Sequence, residues 1–204
     1  MAEYTIIDLL RHGHCEGGDI YRGSSDVSLS DVGWQQMCVS SAKFSADWQA
    51  IISSPMQRCV NFAGELAQNL ELEHVTESDL RETHFGQWEG QLVQDVWEND
   101  RKRVQAWMND PMKHAPPGGE ATDEFINRVE RLFKQVSQRL RGKHCVLVTH
   151  GGVIRVILSH VTGGTVSSLN RFEVPYANVS RIRIWHSDRG DFPQLVFHNP
   201  VGCS

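Results

Sequence analysis

The sequence predicts an α/β fold: a three-layer αβα sandwich on a mostly parallel sheet, with an antiparallel edge strand and a small helical insertion. Two patterns carry this prediction. Apolar runs of strand length alternate with segments of helical periodicity, which is typical of a parallel sheet covered on both faces. The tail of the chain instead has the alternation and turn residues of a hairpin, which we place on the sheet edge.

The first half of the chain supplies two strands and two helices. The apolar run Tyr4 to Leu10 predicts the first strand, and Ser30 is a suitable N-cap for the first helix. Gln49 to Ser53 predicts a short strand, after which Ser54 caps a helix that has Pro55 in its first turn. The apolar face of that helix comprises Cys59, Phe62, Ala63, Leu66, Ala67 and Leu70.

The second half supplies a further helix, strand and helix before the hairpin. The clearest helix runs from about Asp123 to Leu140, and Gly142 is a suitable stop. A strand then ends at Thr149, and a helix follows from about Gly152 to Val161. The apolar stripe of the long helix comprises Phe125, Val129, Leu132, Phe133, Val136 and Leu140. The strands of the hairpin lie at residues 181–184 and 195–197, around a turn at 187–191.

Residues 86–119 interrupt this alternation. The segment contains Trp88, Trp97 and Trp107 with several prolines, and it predicts a short helical insertion that walls a pocket. Tryptophans in such a segment pack against each other more often than they bind a ligand. The chain has 204 residues and no repeat or linker, so residues 1–204 are predicted to form a single domain.

Composition and charge exclude several classes of function. The formal net charge of −5 argues against a protein that binds nucleic acid without regard to sequence. No apolar stretch reaches the length of a membrane span, and Met1 to Glu3 lead into the first strand without a leader-like segment. Five dispersed cysteines predict reduced thiols in a cytoplasmic protein. They are Cys15, Cys38, Cys59, Cys145 and Cys203.

Two predicted strands end in a histidine followed by glycine. The first runs into Arg11-His12-Gly13, and the strand ending at Thr149 runs into His150-Gly151-Gly152. Ligands of open α/β sheets bind at the carboxyl ends of the strands, and glycine lets the backbone approach a ligand closely. The repeated pattern predicts two imidazoles that face each other across an active site. The alternatives are a solvated loop start for the first fragment and a capping histidine for the second.

Arg58 is a third candidate, in the first turn of the helix that follows Ser54. A cation is unfavourable there because the helix N-terminus is already positive. An exposed arginine is the simpler interpretation, but an arginine beside free N–H groups also makes a strong anion site. A bound phosphate would account for this position.

The acidic residues and the absent motifs do not by themselves identify the catalytic acid. Asp79, Glu82 and Glu89 lie close in sequence, and spacing does not choose among them. The chain has no phosphate-loop motif, no Gly-x-Ser-x-Gly elbow and no His-Glu-x-x-His motif. His12 and His14 have no third ligand at a recognisable spacing, so no metal or other cofactor is predicted. Arginines are the groups best suited to bind an anion.

Taken together, these residues resemble the histidine phosphatase superfamily, also called phosphoglycerate mutase-like. Arg-His-Gly stands at residues 11–13, and the other blocks follow in the family's order as far as about residue 160. Those blocks are Ser53-Ser54-Pro55-Met56-Gln57-Arg58, Leu80-Arg81-Glu82, Phe85-Gly86-Gln87-Trp88-Glu89-Gly90, Pro117-Gly118-Gly119-Glu120 and Val148-Thr149-His150-Gly151-Gly152. Arg-His-Gly alone would be weak evidence, whereas the ordered blocks are specific.

The resemblance implies a metal-independent phosphatase with a phosphohistidine intermediate. His12 would attack phosphorus through a neutral ring nitrogen. Arg11, Arg58 and His150 would bind the phosphoryl oxygens and stabilise charge during in-line transfer. Glu82 would protonate the leaving oxygen and then help to activate water. This choice among the three acids comes from the resemblance alone.

The chain departs from the common family pattern just after His12. Many members have Glu, Thr and Asn where this chain has His14, Cys15 and Gly18. The Gly-rich loop at residues 17–24 is expected to compensate, through either backbone N–H groups or Arg22. The predicted substrate-binding residues are Arg22, Gly23, Ser24 and Gly151.

The same loop, with residues 26–34, resembles the α-ribazole phosphatase branch of the family. Those enzymes remove the 5′-phosphate from α-ribazole 5′-phosphate, or from the phosphorylated cobalamin precursor, late in cobalamin assembly. The short insertion and Glu82-Thr83-His84-Phe85-Gly86 favour hydrolysis over mutase chemistry. A broad-specificity phosphatase, a phosphoglycerate mutase and an inactive module that binds phospho-ligands stay open. The expected partner is a small phosphorylated metabolite, and a homodimer stays open as well.

Overall fold

The computed structural model describes residues 4–198 and confirms the predicted α/β architecture. The strands are β1 (Tyr4–Arg11), β2 (Ala50–Ser53), β3 (His74–Thr76), β4 (His144–Thr149), β5 (Val179–Trp185) and β6 (Phe192–His198). The helices are α1 (Asp31–Phe44), α2 (Gln57–Leu70), α3 (Val93–Asn99), α4 (Arg101–Asn109), α5 (Thr122–Arg139) and α6 (Gly151–Val161). The expectations for Met1 to Glu3 and for Cys203 concern residues outside the described range.

The six strands form one sheet in the order β3-β2-β4-β1-β5-β6. The pairs β1–β4, β2–β4 and β2–β3 are parallel. Strand β5 is antiparallel to β1, and β6 is antiparallel to β5. The predicted hairpin therefore forms one edge of the sheet, with β6 outermost and the antiparallel strand β5 one place inside.

Each face of the sheet is covered by a pair of helices. Helices α5 and α6 pack with Ile7, Leu9 and Leu147 in one apolar core. Helices α1 and α2 pack with Leu10 and Val146 in the other. Neighbouring residues of β1 therefore point into different cores, as expected for a strand that is buried on both faces.

The predicted start of α1 is confirmed, and the predicted start of α2 is wrong. Ser30 caps α1, and its hydroxyl oxygen accepts a hydrogen bond from the N–H of Gly33. Helix α2 begins only at Gln57, because Met56 has extended backbone angles that a helix does not allow. Ser54 is therefore not the helix cap, and its side chain is free to serve the site described below.

The other predicted elements agree with the structure to within a few residues, apart from β3. Strand β3 gave no sequence signal because it has only three residues, none of which is fully buried. Residues 86–119 contain α3 and α4, as the predicted helical insertion requires. Trp88 is buried there in a small core with Tyr21, Val96 and Val104.

The described cysteines are free thiols, in agreement with the prediction for reduced cysteine. They are Cys15, Cys38, Cys59 and Cys145. Within residues 4–198, no helix combines the length and apolar character needed to cross a membrane.

Candidate active site

Strands β1 and β4 lie side by side and bring their two histidines together. Arg11 pairs with Thr149 in the strand register, so His12 and His150 leave the sheet at the same level. The N–H of His12 donates to the carbonyl of Thr149 at 2.9 Å. The centres of the two imidazole rings are 5.3 Å apart, and the rings are inclined at 62°. Both side chains are buried.

The hydrogen bond of His12 determines which ring nitrogen is free. Nδ1 lies 2.8 Å from the carbonyl oxygen of Gly13, and a carbonyl only accepts, so Nδ1 carries the proton. Nε2 keeps its lone pair. Burial lowers the pKa of His12 well below 6.5, and the charges of Arg11 and Arg58 lower it further. The ring is therefore neutral near pH 7, as attack through Nε2 requires.

His150 has both ring nitrogens engaged by the protein. Arg58 Nε donates to Nδ1 at 3.2 Å, so the proton lies on Nε2, which is 2.7 Å from the Ser54 hydroxyl oxygen. Burial lowers the pKa of His150 well below its usual value, and the neighbouring Arg58 adds to this effect. The predicted contact of His150 with a phosphoryl oxygen requires exchange of the Ser54 hydroxyl for that oxygen.

The two neutral histidines predict a specific dependence of stability on pH. Both folded-state pKa values lie below 6.5, so the unfolded chain binds these two protons first as the pH falls. The free energy of unfolding should fall between about pH 7 and about pH 5, and His12→Gln should reduce this slope. Urea denaturation across this range measures it. An equal slope in wild type and variant would contradict the assignment of a neutral buried His12.

Arg58 is fully buried, so the alternative of an exposed arginine is wrong. Besides Nε on His150, its Nη1 donates to the carbonyl of Ser25 at 2.9 Å. Its Nη2 donates to the carbonyls of Arg22 and Gly23 at 3.2 and 2.8 Å. Four of the five guanidinium N–H groups are thus used within the protein. Arg58 binds the Gly-rich loop to His150, and one N–H remains for a ligand.

Arg11 and Arg22 each have a buried Nε atom without a partner. Arg11 stacks over the ring of Tyr176 at 4.2 Å. Arg22 donates through Nη2 to the carbonyls of Glu16 and Gly18 at 2.9 and 2.7 Å. Only four buried side-chain polar atoms among residues 4–198 lack a hydrogen bond, and two of them are these Nε atoms. Since buried donors are nearly always paired, both arginines fit a bound anion.

The surroundings of the three acids show which of them could act in the site, a choice that their spacing in the sequence does not make. Asp79 forms an ion pair with Arg131 at 3.0 Å on the surface. Glu89 accepts hydrogen bonds from loop groups at 2.6 to 3.2 Å. Burial raises the pKa of Glu89, but these hydrogen bonds outweigh burial and lower it overall. The donors are the backbone N–H groups of Gly23, Ser24, Ser25 and Phe85 and the hydroxyl of Ser25.

Glu82 is the acid of the three that lines a cavity. Its carboxylate accepts from the N–H of Thr83 at 3.0 Å and from the N–H of Gly152 at 2.9 Å. Gly152 lies in the first turn of α6, where a negative charge is favourable. A Cβ on Gly152 would lie 2.2 Å from Glu82 Oε1, so this glycine is needed for the contact.

Arg128 holds the segment that carries Glu82. Its guanidinium donates to the carbonyls of Asp79, Arg81 and Glu82 at 2.7 to 3.1 Å. It also forms a buried ion pair with Glu120, with 2.6 Å between Nε and Oε1. The position of Glu82 therefore depends on α5 as well as on its own loop.

The residues predicted to bind substrate differ in whether their donors are already used within the protein. The N–H groups of Gly23 and Ser24 donate to Glu89, so they stabilise the fold of the loop. The other expected contact is through Arg22, whose Nε is buried without a hydrogen-bond partner. Gly151 begins α6 directly beside Arg11. Substrate contacts by Gly23, Ser24 and Gly151 stay predictions.

A cavity of about 340 Å³ opens beside Glu82. Aromatic side chains make up much of its wall, and Arg155 contributes a positive charge. Trp97 and Trp107 from residues 86–119 are part of the wall, whereas Trp88 packs in the core beneath. The aromatic residues of the wall are Tyr21, Phe85, Trp97, Trp107 and Phe125. The described residues contain no group of three or more His, Cys, Asp or Glu side chains able to hold a metal ion.

Sequence reasoning missed four residues of this site: Ser54, Arg128, Arg155 and Tyr176. For Ser54, the following proline predicts a helix cap and thereby hides its place beside His150. Arg155 could have been found, because it follows Gly151 by four residues on α6 and shares its helix face. Tyr176 lies 5.8 Å from His12 between ring centres, and it comes from a loop without a local pattern.

The chain belongs to the histidine phosphatase superfamily. The model of the histidine phosphatase superfamily (branch 1) matches residues 7–195, which confirms the family expected from the ordered motifs. The match extends from β1 into β6 and contains every candidate site residue named above.

Several curated proteins are similar to this chain in sequence. The bifunctional protein Rv2228c of Mycobacterium tuberculosis is 34% identical over 94% of this chain, which spans only 53% of that relative. The putative phosphoserine phosphatase 2 of Hydrogenobacter thermophilus is 27% identical over 95% of this chain and 94% of its own. The adenosylcobalamin/alpha-ribazole phosphatase of Escherichia coli is 25% identical over 86% and 88%. The last two of these relatives are named as phosphatases.

A solved structure shows the same fold. The alpha-ribazole phosphatase from Shigella flexneri superposes with a TM-score of 0.81. The alignment covers 98% of this chain and 99% of that one at 23% identity. At this identity the likeness concerns the fold.

Proposed function

We propose that the chain is a metal-independent phosphomonoesterase that works through a phosphohistidine on His12. The observation that carries this proposal is the state of His12. Its ring is buried and neutral, with Nδ1 bound to Gly13 and Nε2 free. Arg11 and Arg22 stand nearby with unpaired donors suited to an anion. The retained arginines and histidines argue against an inactive binding module.

The proposed reaction has two steps. His12 Nε2 bonds to phosphorus as the bond from phosphorus to the leaving oxygen breaks, and protonated Glu82 gives its proton to that oxygen. Water then attacks phosphorus, the phosphorus–nitrogen bond breaks, and Glu82 takes the proton from the water. Arg11, Arg22 and the remaining N–H of Arg58 stabilise the charge on the phosphoryl oxygens. His150 binds a phosphoryl oxygen through its Nε2–H once that oxygen replaces the Ser54 hydroxyl.

We propose α-ribazole 5′-phosphate as the substrate, in assembly of the nucleotide loop of cobalamin. The aromatic cavity beside Glu82 supports it, because a benzimidazole ring stacks on aromatic side chains. A volume of about 340 Å³ suits a nucleoside-sized leaving group better than serine. The relative from Escherichia coli is named for this substrate. The relative from Hydrogenobacter thermophilus, named as a phosphoserine phosphatase, keeps a broader or different specificity as the alternative.

Residues 86–119 are proposed to wall the active site within a single domain. Trp97, Trp107 and Met108 from this segment border the same cavity as Glu82. The cytoplasmic location and the homodimer stay predictions.

A substrate panel in excess chelator tests the proposed function. We expect kcat/KM for α-ribazole 5′-phosphate to exceed that for phosphoserine and 3-phosphoglycerate by roughly tenfold or more, as one stacked ring supplies. Chelator should leave the rates unchanged. Preference for phosphoserine or 3-phosphoglycerate would contradict the substrate. If none of the esters were hydrolysed, the proposed phosphatase activity would be contradicted, and a module that only binds phospho-ligands would be favoured.

A further inference from the structure

Arg155 is a cation of the cavity that the reaction at His12 leaves without a role. It lies in the second turn of α6. Its Nε donates to the carbonyl of Phe172 at 3.1 Å, which anchors the guanidinium. Arg155 lines the cavity beside Glu82, and its two terminal amino groups have no acceptor among residues 4–198. These donors are available to a ligand.

Arg155 and Arg11 crowd the same end of α6. A Cβ on Gly151 would lie 3.4 Å from both Arg11 Nε and Arg155 Nη1. Burial lowers the pKa of Arg11, and the charge of Arg155 adds to that effect. The N-terminus of the helix contributes further positive charge. Such crowding becomes favourable when oxygen acceptors lie between the cations: the phosphoryl group for Arg11, and a second acceptor for Arg155.

We propose that Arg155 is a specificity-determining residue that binds two adjacent oxygens of the leaving alcohol. The proposal rests on the proposed function, because it requires the leaving group to occupy the cavity during reaction at His12. A planar guanidinium presents parallel N–H donors that match two neighbouring oxygens. The vicinal hydroxyls of a ribose and a carboxylate share this chemistry. The aromatic wall and the volume of about 340 Å³ suit a ribose that carries an aromatic base, which favours the vicinal hydroxyls over a small carboxylate.

Two substitutions and a control test this role. Arg155→Met keeps an unbranched side-chain stem and removes the donors, while Arg155→Lys keeps the charge and loses the paired geometry. Arg131→Met is the matched control, because Arg131 forms only a surface ion pair with Asp79. The substrates are α-ribazole 5′-phosphate, its 2′,3′-dideoxy analogue, phosphoserine and p-nitrophenyl phosphate.

We expect Arg155→Met to lower kcat/KM for α-ribazole 5′-phosphate by roughly 10- to 100-fold, mainly through KM, as loss of charged hydrogen bonds predicts. The dideoxy analogue and p-nitrophenyl phosphate should lose far less. Arg155→Lys should recover only part of the loss, and Arg131→Met should behave as wild type. Thermal unfolding of each variant shows whether it is folded.

Different results would contradict the diol, the role of Arg155 or the proposed function. If Arg155→Met lost more kcat/KM with phosphoserine than with the riboside, the proposed diol would be wrong, and Arg155 would bind a carboxylate instead. Equal losses with all four esters, or no loss with any, would overturn the role of Arg155. The wild-type protein alone gives a further test of the role of Arg155. That role would be overturned if the wild type hydrolysed the riboside and its dideoxy analogue with equal kcat/KM and showed no preference for phosphoserine. Failure of the proposed function would appear differently, as a wild-type protein that hydrolyses none of the esters.

Discussion

Replacing His12 by alanine is expected to reduce kcat by roughly four orders of magnitude, as removal of a covalent nucleophile does. The reason is the free Nε2 of a neutral ring held by Gly13. Phosphate release under saturating substrate measures the effect. His160→Ala is the matched control, since His160 lies on the surface near Glu130 and should leave the rate unchanged.

A different nucleophile would give a different result. The thiol of Cys15 lies 3.5 Å from His12 Nδ1. Burial raises the pKa of Cys15, so it is a poor thiolate near neutral pH. If His12→Ala kept substantial activity and Cys15→Ala lost it, the assignment of His12 would be wrong.

The second large effect is expected for Arg58→Lys. Lysine keeps the charge, but one ammonium cannot replace donors to three backbone carbonyls and to His150. We expect the free energy of unfolding to fall by about 2–4 kcal/mol, because buried acceptors lose their partners. The rate should also fall at least about 100-fold, because the loop that carries Arg22 is released.

Urea denaturation and phosphate release measure the two effects of this substitution. Arg131→Lys is the control, because its surface ion pair contributes at most about 1 kcal/mol. An Arg58→Lys protein with wild-type stability and lost activity would contradict the structural role. Arg58 would then act only as a phosphate ligand.

The fold could be predicted because its signals are local. The apolar runs of β1 and β4 and the long stripe of α5 appear directly in the sequence. The facing histidines follow from topology, because parallel strands end at one edge. The prediction of a helix cap at Ser54 is wrong because serine before proline favours a helix start, whereas the extended backbone of Met56 delays α2 until Gln57.

The roles of the acids could not be read from spacing, because they depend on distant groups. Glu89 is occupied by N–H donors of residues 23–25, which lie more than 60 positions away. Glu82 is held through Arg128, which a helical stripe of apolar residues does not reveal. Tyr176 reaches His12 from the loop before β5, without any local signal.

Trapping the intermediate tests the central claim most directly. The enzyme is mixed with substrate and quenched in alkaline denaturant within one turnover. Peptide mass spectrometry then identifies the phosphorylated residue, and ³¹P nuclear magnetic resonance identifies the ring nitrogen. We predict one phosphoryl group on Nε2 of His12, since Gly13 holds Nδ1, and none in His12→Ala. Rapid turnover without a phosphorylated histidine, or phosphorylation at Nδ1 or at another residue, would contradict it.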